Sequence, residues 1–306
     1  MTFLKEFYHF VISERIRKQI WLKRRRLAYK ANYVKKALNN KSSYRICEVD
    51  DLTFVGVSED FDGVFGSMIR DGRTFASNEM KLFHRLSNQY YGDNSKTEGY
   101  FLDIGSNIGT TSIYFRKKLD SNVKVIGFEP DSNNFMLNKC NIVLNKLEDS
   151  IRIENVGLGE KSDEMRLYKN TDNPGGNSVI SFTSNDYEII NIISLDDYLK
   201  NNSINIQSIK YVWIDTEGFE PFVLFGGKSF FYNTTVPVFI EFNPQIYRNV
   251  EGLFDRTLDF LKNCWSGYIN IQESLKGECI IHCIDELEKY KNSAYQVGDI
   301  FLIKEV

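Results

Sequence analysis

The 306 residues suffice for one large α/β domain with an arm, or for two small domains, and 42% hydrophobic with 26% charged residues is the balance of an ordinary folded chain. The net charge of -3 hides an asymmetry: residues 1–41 carry 12 Lys or Arg against Glu6 and Glu14, so the remainder is clearly acidic. That distribution argues against a nucleic-acid-binding face on the main body.

The five cysteines, Cys47, Cys140, Cys264, Cys279 and Cys283, form no C-x-x-C pair. No Cys/His cluster has zinc spacing, and free thiols in a reducing cytosol are expected, with no metal. Charges interrupt every apolar run near the start, so no signal peptide is expected there. No run approaches the roughly 18 apolar residues of a membrane span. A cytoplasmic protein is therefore expected, with peripheral membrane association left open.

Residues 2–39 read as one or two helices, because Phe3, Phe7, Phe10, Val11, Ile16, Ile20 and Leu27 recur at three- and four-residue steps. Lys23–Arg26 lies on that pattern, either as a solvated face or as a basic arm for an anionic membrane surface or a second subunit. The arm is bounded at residues 1–43, where Asn39–Ser43 reads as a linker. Residues 44–98 are expected to lead into the core. Tyr44–Val57 predicts a hairpin turning at Asp50-Asp51, and Ser77–Leu86 a helix with Ser77 as N-cap.

From residue 99 to 306 strands and helices alternate, with strands predicted at Tyr100–Ile104, Lys124–Glu129, Ile151–Val156, Tyr211–Asp215 and Pro237–Phe242. Helices are predicted at Thr110–Lys118, Ser132–Leu147, Ser194–Leu199, Pro221–Gly226 and Leu253–Asn263. Tyr268–Glu273 and Asp299–Ile303 are expected to pair antiparallel at one edge. The fold class is α/β: a Rossmann-like, doubly wound, mostly parallel seven-stranded sheet with an N-terminal helical arm and a small β extension.

Phe101–Gly109 is an apolar strand that ends in Asp103 and turns on Gly105 and Gly109 into a helix at Thr110. Glycine is expected there for close approach of a ligand to the backbone. The G-x-x-x-G spacing is neither the dinucleotide pattern nor the phosphate-cradling loop, which points to a cofactor without phosphates. Asp103 offers a carboxylate to a sulfonium-bearing amino acid, with Ser106 and Asn107 in the same turn. Glu129 ends the next strand, stopped by Pro130, where a carboxylate can accept both ribose hydroxyls.

The segments FLDIGSNIGTTS, FEPDSNNFMLNKCNIVLNKL, ISLDDYL, IDTEGFE and FIEFNP occur in that order between residues about 78 and 243. Together they resemble the FkbM family of S-adenosylmethionine-dependent methyltransferases. The resemblance implies O-methylation, commonly of sugar hydroxyls on glycans or glycoconjugates, with S-adenosyl-L-methionine as cofactor. It also implies that Asp103, Gly105, Asn107, Gly109 and Glu129 line the cofactor site. The family often carries Lys two residues before the Asp of IDTEGFE, where this chain has Trp213.

Asp215, Glu217 and Glu220 follow the fourth strand, at the sheet edge where ligands bind. A carboxylate there can take the acceptor's hydroxyl proton; Asp215 is the first candidate, followed by Glu217 and Glu241. Glu217 and Glu220 would equally serve as helix caps. Asn177 and Ser178, ending a Gly/Asn-rich loop, are candidate acceptor ligands with Glu220 and Asn243. The expected partner is a carbohydrate or glycoconjugate acceptor. A nicotinamide oxidoreductase, or a non-catalytic Rossmann-like protein working through its basic arm, are the alternatives.

Overall fold

The computed structural model describes residues 44–57, 63–92, 97–170, 177–180, 186–293 and 298–304. The basic arm at residues 1–43 and loop residues 172–176 lie outside the described residues. Residues 43–306 form one compact unit.

Strands β1 (Tyr44–Val49) and β2 (Leu52–Val57) pair antiparallel with Val49 opposite Leu52. Asp50 and Asp51, at φ 52° and 57°, make the predicted turn, whose left-handed backbone suits the twist of a two-residue hairpin. Helices α1 (Val64–Asp71) and α2 (Ser77–Tyr91) follow. Ser77 is not the cap: Ala76 takes that position at φ 53°, and Ser77 is buried in the first turn.

The main sheet contains β3 (Gly99–Ile104), β4 (Val123–Phe128), β5 (Ile151–Glu154), β9 (Ile209–Ile214), β10 (Val238–Phe242), β11 (Gly267–Asn270), β12 (Ile281–Cys283) and β13 (Gly298–Ile303). Its order is β12-β11-β13-β10-β9-β3-β4-β5, parallel from β10 through β5. β13 pairs antiparallel with β11, as expected for the last two strands, but it lies inside the sheet between β10 and β11, and the predicted strand Tyr268–Glu273 turns helical at Ile271. The sheet has eight strands rather than the seven expected, because the short, exposed β12 pairs onto the β11 edge.

The order reverses at β3, with β4 on one side and β9 on the other, which opens a crevice at the carboxyl ends of these strands. Alternation along each strand feeds two cores. On one face Phe83 of α2 meets Phe115, Tyr211, Trp213, Phe239 and Phe301 at ring separations of 5.6–6.1 Å. Trp213 stacks on Phe239 at 3.4 Å, so the position where the family often has Lys is an aromatic core position here. On the other face Leu102, Ile104, Val212 and Ile214 pack with α6 (Glu220–Gly226), α7 (Lys228–Asn233) and α9 (Leu253–Cys264).

The predicted helix Thr110–Lys118 is shorter: α3 (Thr110–Tyr114) gives way to a π-helical turn, Phe115–Leu119. Helix α4 (Ser132–Leu144) is capped by Asp131, and α5 (Leu195–Asn201) by Ser194. A second sheet of β6 (Gly157–Leu158), β8 (Tyr187–Ile193) and β7 (Asp163–Tyr168) stands beside the crevice. Among the described residues no helix is long and apolar enough to cross a membrane.

Candidate functional site

A cleft opens at the crevice. One wall is the Gly105–Asn107 turn after β3, and another is Glu129 and Pro130 after β4. Asp215, Thr216 and Glu217 after β9 form a third. The apolar lining comes from Ile104 and Phe128 of the main sheet, and from Leu158, Leu167, Ile190 and Ile192 of the second sheet.

Glycine is required in the turn by neighbouring protein as well. A Cβ on Gly105, at φ +87°, would overlap the Asp215 carbonyl oxygen and stand 2.8 Å from its carbon. A Cβ on Gly109, at φ +88°, would stand 2.8 Å from the Asn138 amide carbon. Both glycines admit neighbouring protein, and Gly109 is outside the cleft lining.

Glu129 is 6% exposed, and its two carboxylate oxygens are separately anchored. One accepts the Asn107 amide at 2.8 Å, and the other accepts the Asp131 amide at 2.9 Å. Burial, then the nearby Asp131 charge, push its carboxyl up to about 8 against those two bonds. Asp103 is fully buried and accepts from the Ser112 hydroxyl, behind the turn rather than in the cleft. Its other oxygen has no partner, and burial raises it to about 7.

The acidic wall extends away from the cleft. Asp215 is held well above the usual carboxylate range by burial and by the charges of Glu217 and Asp299. Glu217 stands at φ 54° and is raised to about 7, by burial first and then by Glu220. Glu220 is fully buried: one oxygen accepts from the Thr216 amide at 2.8 Å, the Thr216 hydroxyl at 3.0 Å and the Gly218 amide at 3.1 Å. Its other oxygen accepts from the Tyr247 hydroxyl at 3.1 Å. Glu220 thus shapes the loop that presents Glu217, and it does not face the cleft.

Glu241, on β10, is pushed up to about 10 by burial and by the charges of Glu220 and Asp215. Its register partner is Asp299, raised to about 6, which the sequence reading did not single out. Glu241 and Asn243 also lie outside the cleft lining, and one side-chain oxygen of each has no partner.

Asn177 lines the cleft, with its amide donating to Asp131 at 2.7 Å. Lys169 reaches the same Asp131 oxygen and pairs with Glu188 at 3.0 Å. The Ser178 hydroxyl donates to the Glu217 carbonyl at 3.1 Å. The two candidate acceptor ligands therefore tie the second sheet to both walls. His84 packs edge-on to Phe115 in the aromatic core, and His282 bonds Glu273 at 3.0 Å, so neither reaches the cleft. Among the described residues no group of three or more His, Cys, Asp or Glu could hold a metal ion.

Comparison with curated proteins gave no match. Among solved structures, the methyltransferase FkbM from Methylobacillus flagellatus aligns at 15% identity and a TM-score of 0.39, over 73% of this chain and 50% of that one. The chain thus spans half the length of that relative. An O-methyltransferase from Bacillus cereus in complex with SAH aligns at 12% identity and a TM-score of 0.38, over 74% and 67% of the two chains. A SAM-dependent O-methyltransferase from Thermotoga maritima gives 10% identity, a TM-score of 0.38, and 86% and 78% coverage. The family model of the methyltransferase FkbM domain matches residues 103–267, from the Asp103 turn to the start of β11. That span exceeds half of the 306 residues, and the chain belongs to the FkbM methyltransferase family.

Proposed function

We propose that this protein transfers a methyl group from S-adenosylmethionine to a hydroxyl oxygen of a neutral carbohydrate or glycoconjugate. The observation that carries the reading is one apolar-walled cleft shared by an anchored Glu129 carboxylate and the acidic Asp215–Glu217 wall. No Lys, Arg or His is among the described residues that line it. The donor set fits the cofactor's chemistry. Glu129 keeps a free lone pair on each oxygen for a ribose diol, and the raised wall carboxyls favour an incoming cation, which would let them ionise. The apolar side of the cleft suits a flat base. Bound there, S-adenosylmethionine supplies an electrophilic methyl group on a positively charged sulfur.

The chain's own residues then orient the acceptor and move one proton. Glu217, at about 7, is partly ionised at neutral pH and takes the hydroxyl proton as the oxygen attacks. Asp215, raised well above the usual carboxylate range by burial and by the Glu217 charge, orients the acceptor as a hydrogen-bond partner, and Glu217 is the preferred base. Positioning supplies much of the remaining barrier reduction. A described lining without Lys, Arg or His suits hydroxyls and disfavours phosphate. A reducing cytosol suits this reading, since the five free cysteines would stay reduced there.

The test offers labelled S-adenosylmethionine with pools of neutral glycans, sugar phosphates and nucleotide sugars. Label in an alkali-stable ether on a neutral sugar is expected. Label only on amines or phosphorylated acceptors would sink the acceptor assignment.

A further inference from the structure

Helix α4 buries amides where an amphipathic helix would bury apolar side chains: Asn138 and Asn141 are 0% exposed, and Asn145 is 8% exposed. Steps of three and four residues place them on one face. The Asn138 amide nitrogen donates to the Asn107 carbonyl at 2.9 Å, and to the Ser106 hydroxyl at 3.1 Å and carbonyl at 3.4 Å. Asn141 donates to the Ile108 carbonyl at 2.8 Å and to the Val55 carbonyl at 3.2 Å, and accepts the Val55 amide at 2.7 Å. Asn145 accepts the Thr53 amide at 3.0 Å and donates to the Thr53 carbonyl at 2.7 Å.

Asn141 and Asn145 therefore act as a neighbouring strand for β2. They satisfy alternate residues, Thr53 and Val55, whose backbone groups face away from β1. Asn138 and Asn141 hold the Ser106–Ile108 carbonyls from behind. That orientation turns the Asn107 amide toward Glu129, with Asn107 itself at φ 47°. Of these three amides, Asn141 is the one bonded to both the hairpin and the turn.

We infer that Asn138 and Asn141 are positioning residues for the cofactor turn, and that through Asn141 the β1–β2 hairpin is mechanically part of the cofactor site. The inference rests on the proposed S-adenosylmethionine reading of the cleft. Neither residue touches the cleft, so their effect passes through the backbone of residues 106–108.

The experiment measures amide hydrogen exchange of the wild-type chain with and without S-adenosylhomocysteine, followed by titration of variants. Saturation should slow exchange at Asn107 and also at the Thr53 and Val55 amides. Asn138→Ala and Asn141→Ala should each weaken binding about tenfold, within the usual coupling between linked groups. They should raise KM for the methyl donor more than they lower kcat. Thr257→Ala, which removes a hydroxyl bonded to Leu253 on α9, should lower stability and leave affinity unchanged.

Protection at Asn107 with none at Thr53 and Val55, or variant affinities equal to wild type, would overturn the inference. The wild-type exchange result decides the matter if a variant does not fold. Absence of any binding by folded wild-type chain would instead overturn the cofactor reading, and this inference with it.

Discussion

Gly105→Ala and Gly109→Ala sit at the two ends of one turn, with φ of +87° and +88°, yet they should fail differently. Left-handed backbone costs a non-glycine residue about 1–2 kcal/mol at either site. At Gly105 the new methyl overlaps the Asp215 carbonyl and meets Thr216 Cγ2 at 3.3 Å. Asp215 is fixed there because its amide bonds the Ile104 carbonyl at 2.9 Å, so β3 and β9 must part. Forcing a close-packed site open adds about 1–3 kcal/mol, for a total of about 2–5 kcal/mol. For a chain of this size that lowers Tm by roughly 4–20 °C. At Gly109 the obstacle is the end of the Asn138 side chain, which can swing away. The stability loss there stays near the backbone strain, but the turn loses its Asn138 bonds, and S-adenosylhomocysteine affinity should fall about tenfold. Differential scanning calorimetry of the ligand-free variants and titration calorimetry measure the two effects. A Gly105→Ala chain unfolding within about 2 °C of wild type would refute the packing argument.

Glu217→Gln should lower kcat by about 10²–10⁴-fold, the usual contribution of a general base, and leave S-adenosylhomocysteine affinity little changed; steady-state kinetics with unaltered kcat would remove Glu217 from that role. Glu220→Ala should unhook the Thr216–Gly218 loop and abolish turnover, whereas Glu220→Gln keeps an oxygen acceptor and should retain most activity. Equal losses in the two variants would contradict the loop-holding role. Glu129, Glu217 and Asp299, raised to about 8, 7 and 6, ionise near 4 in an unfolded chain. Their contribution to stability is therefore present below about pH 4 and lost as pH rises through about 6–8, so ligand-free Tm should fall from about pH 5 to pH 8. A Tm that rises over that window would contradict their burial as neutral acids. Vesicles of anionic lipid should retain the full-length chain at low salt and release it at high salt if residues 1–41 make the contact; salt-independent retention would exclude a basic surface arm.

The parts of the site legible in the sequence were those in which backbone and chemistry coincide. Apolar β3 and β4 carry Asp103 and Glu129 next to their carboxyl ends, and alternation with helices placed those ends together. Other contributions were hidden because their meaning depends on tertiary contact. Asn138, Asn141 and Asn145 are polar positions that no local pattern marks as buried, and docking of the Ser106–Ile108 turn and of the hairpin buries them. Asp299 reaches the acidic wall because β13 runs antiparallel beside β10, a register no local pattern encodes. The second sheet was missed because β6 spans two residues and β7 is largely exposed, leaving little periodicity to read. Asp103 looked like a ligand for the same reason that Glu129 did, since a strand-end acid does not reveal whether it faces the cleft or, as here, Ser112.

The most direct test of the account is titration calorimetry of S-adenosylmethionine into the wild-type chain and into Glu129→Gln, at neutral pH in two buffers of different ionisation enthalpy. The wild type should bind one equivalent with release of protons, as the sulfonium draws the wall carboxyls into their charged form. The substitution exchanges one of the two carboxylate oxygens held by the Asn107 and Asp131 amides for a donor. It should weaken binding by about tenfold to a hundredfold, the worth of a hydrogen bond to a charged group. No binding by the folded wild type, or equal affinity in the variant, would contradict the account.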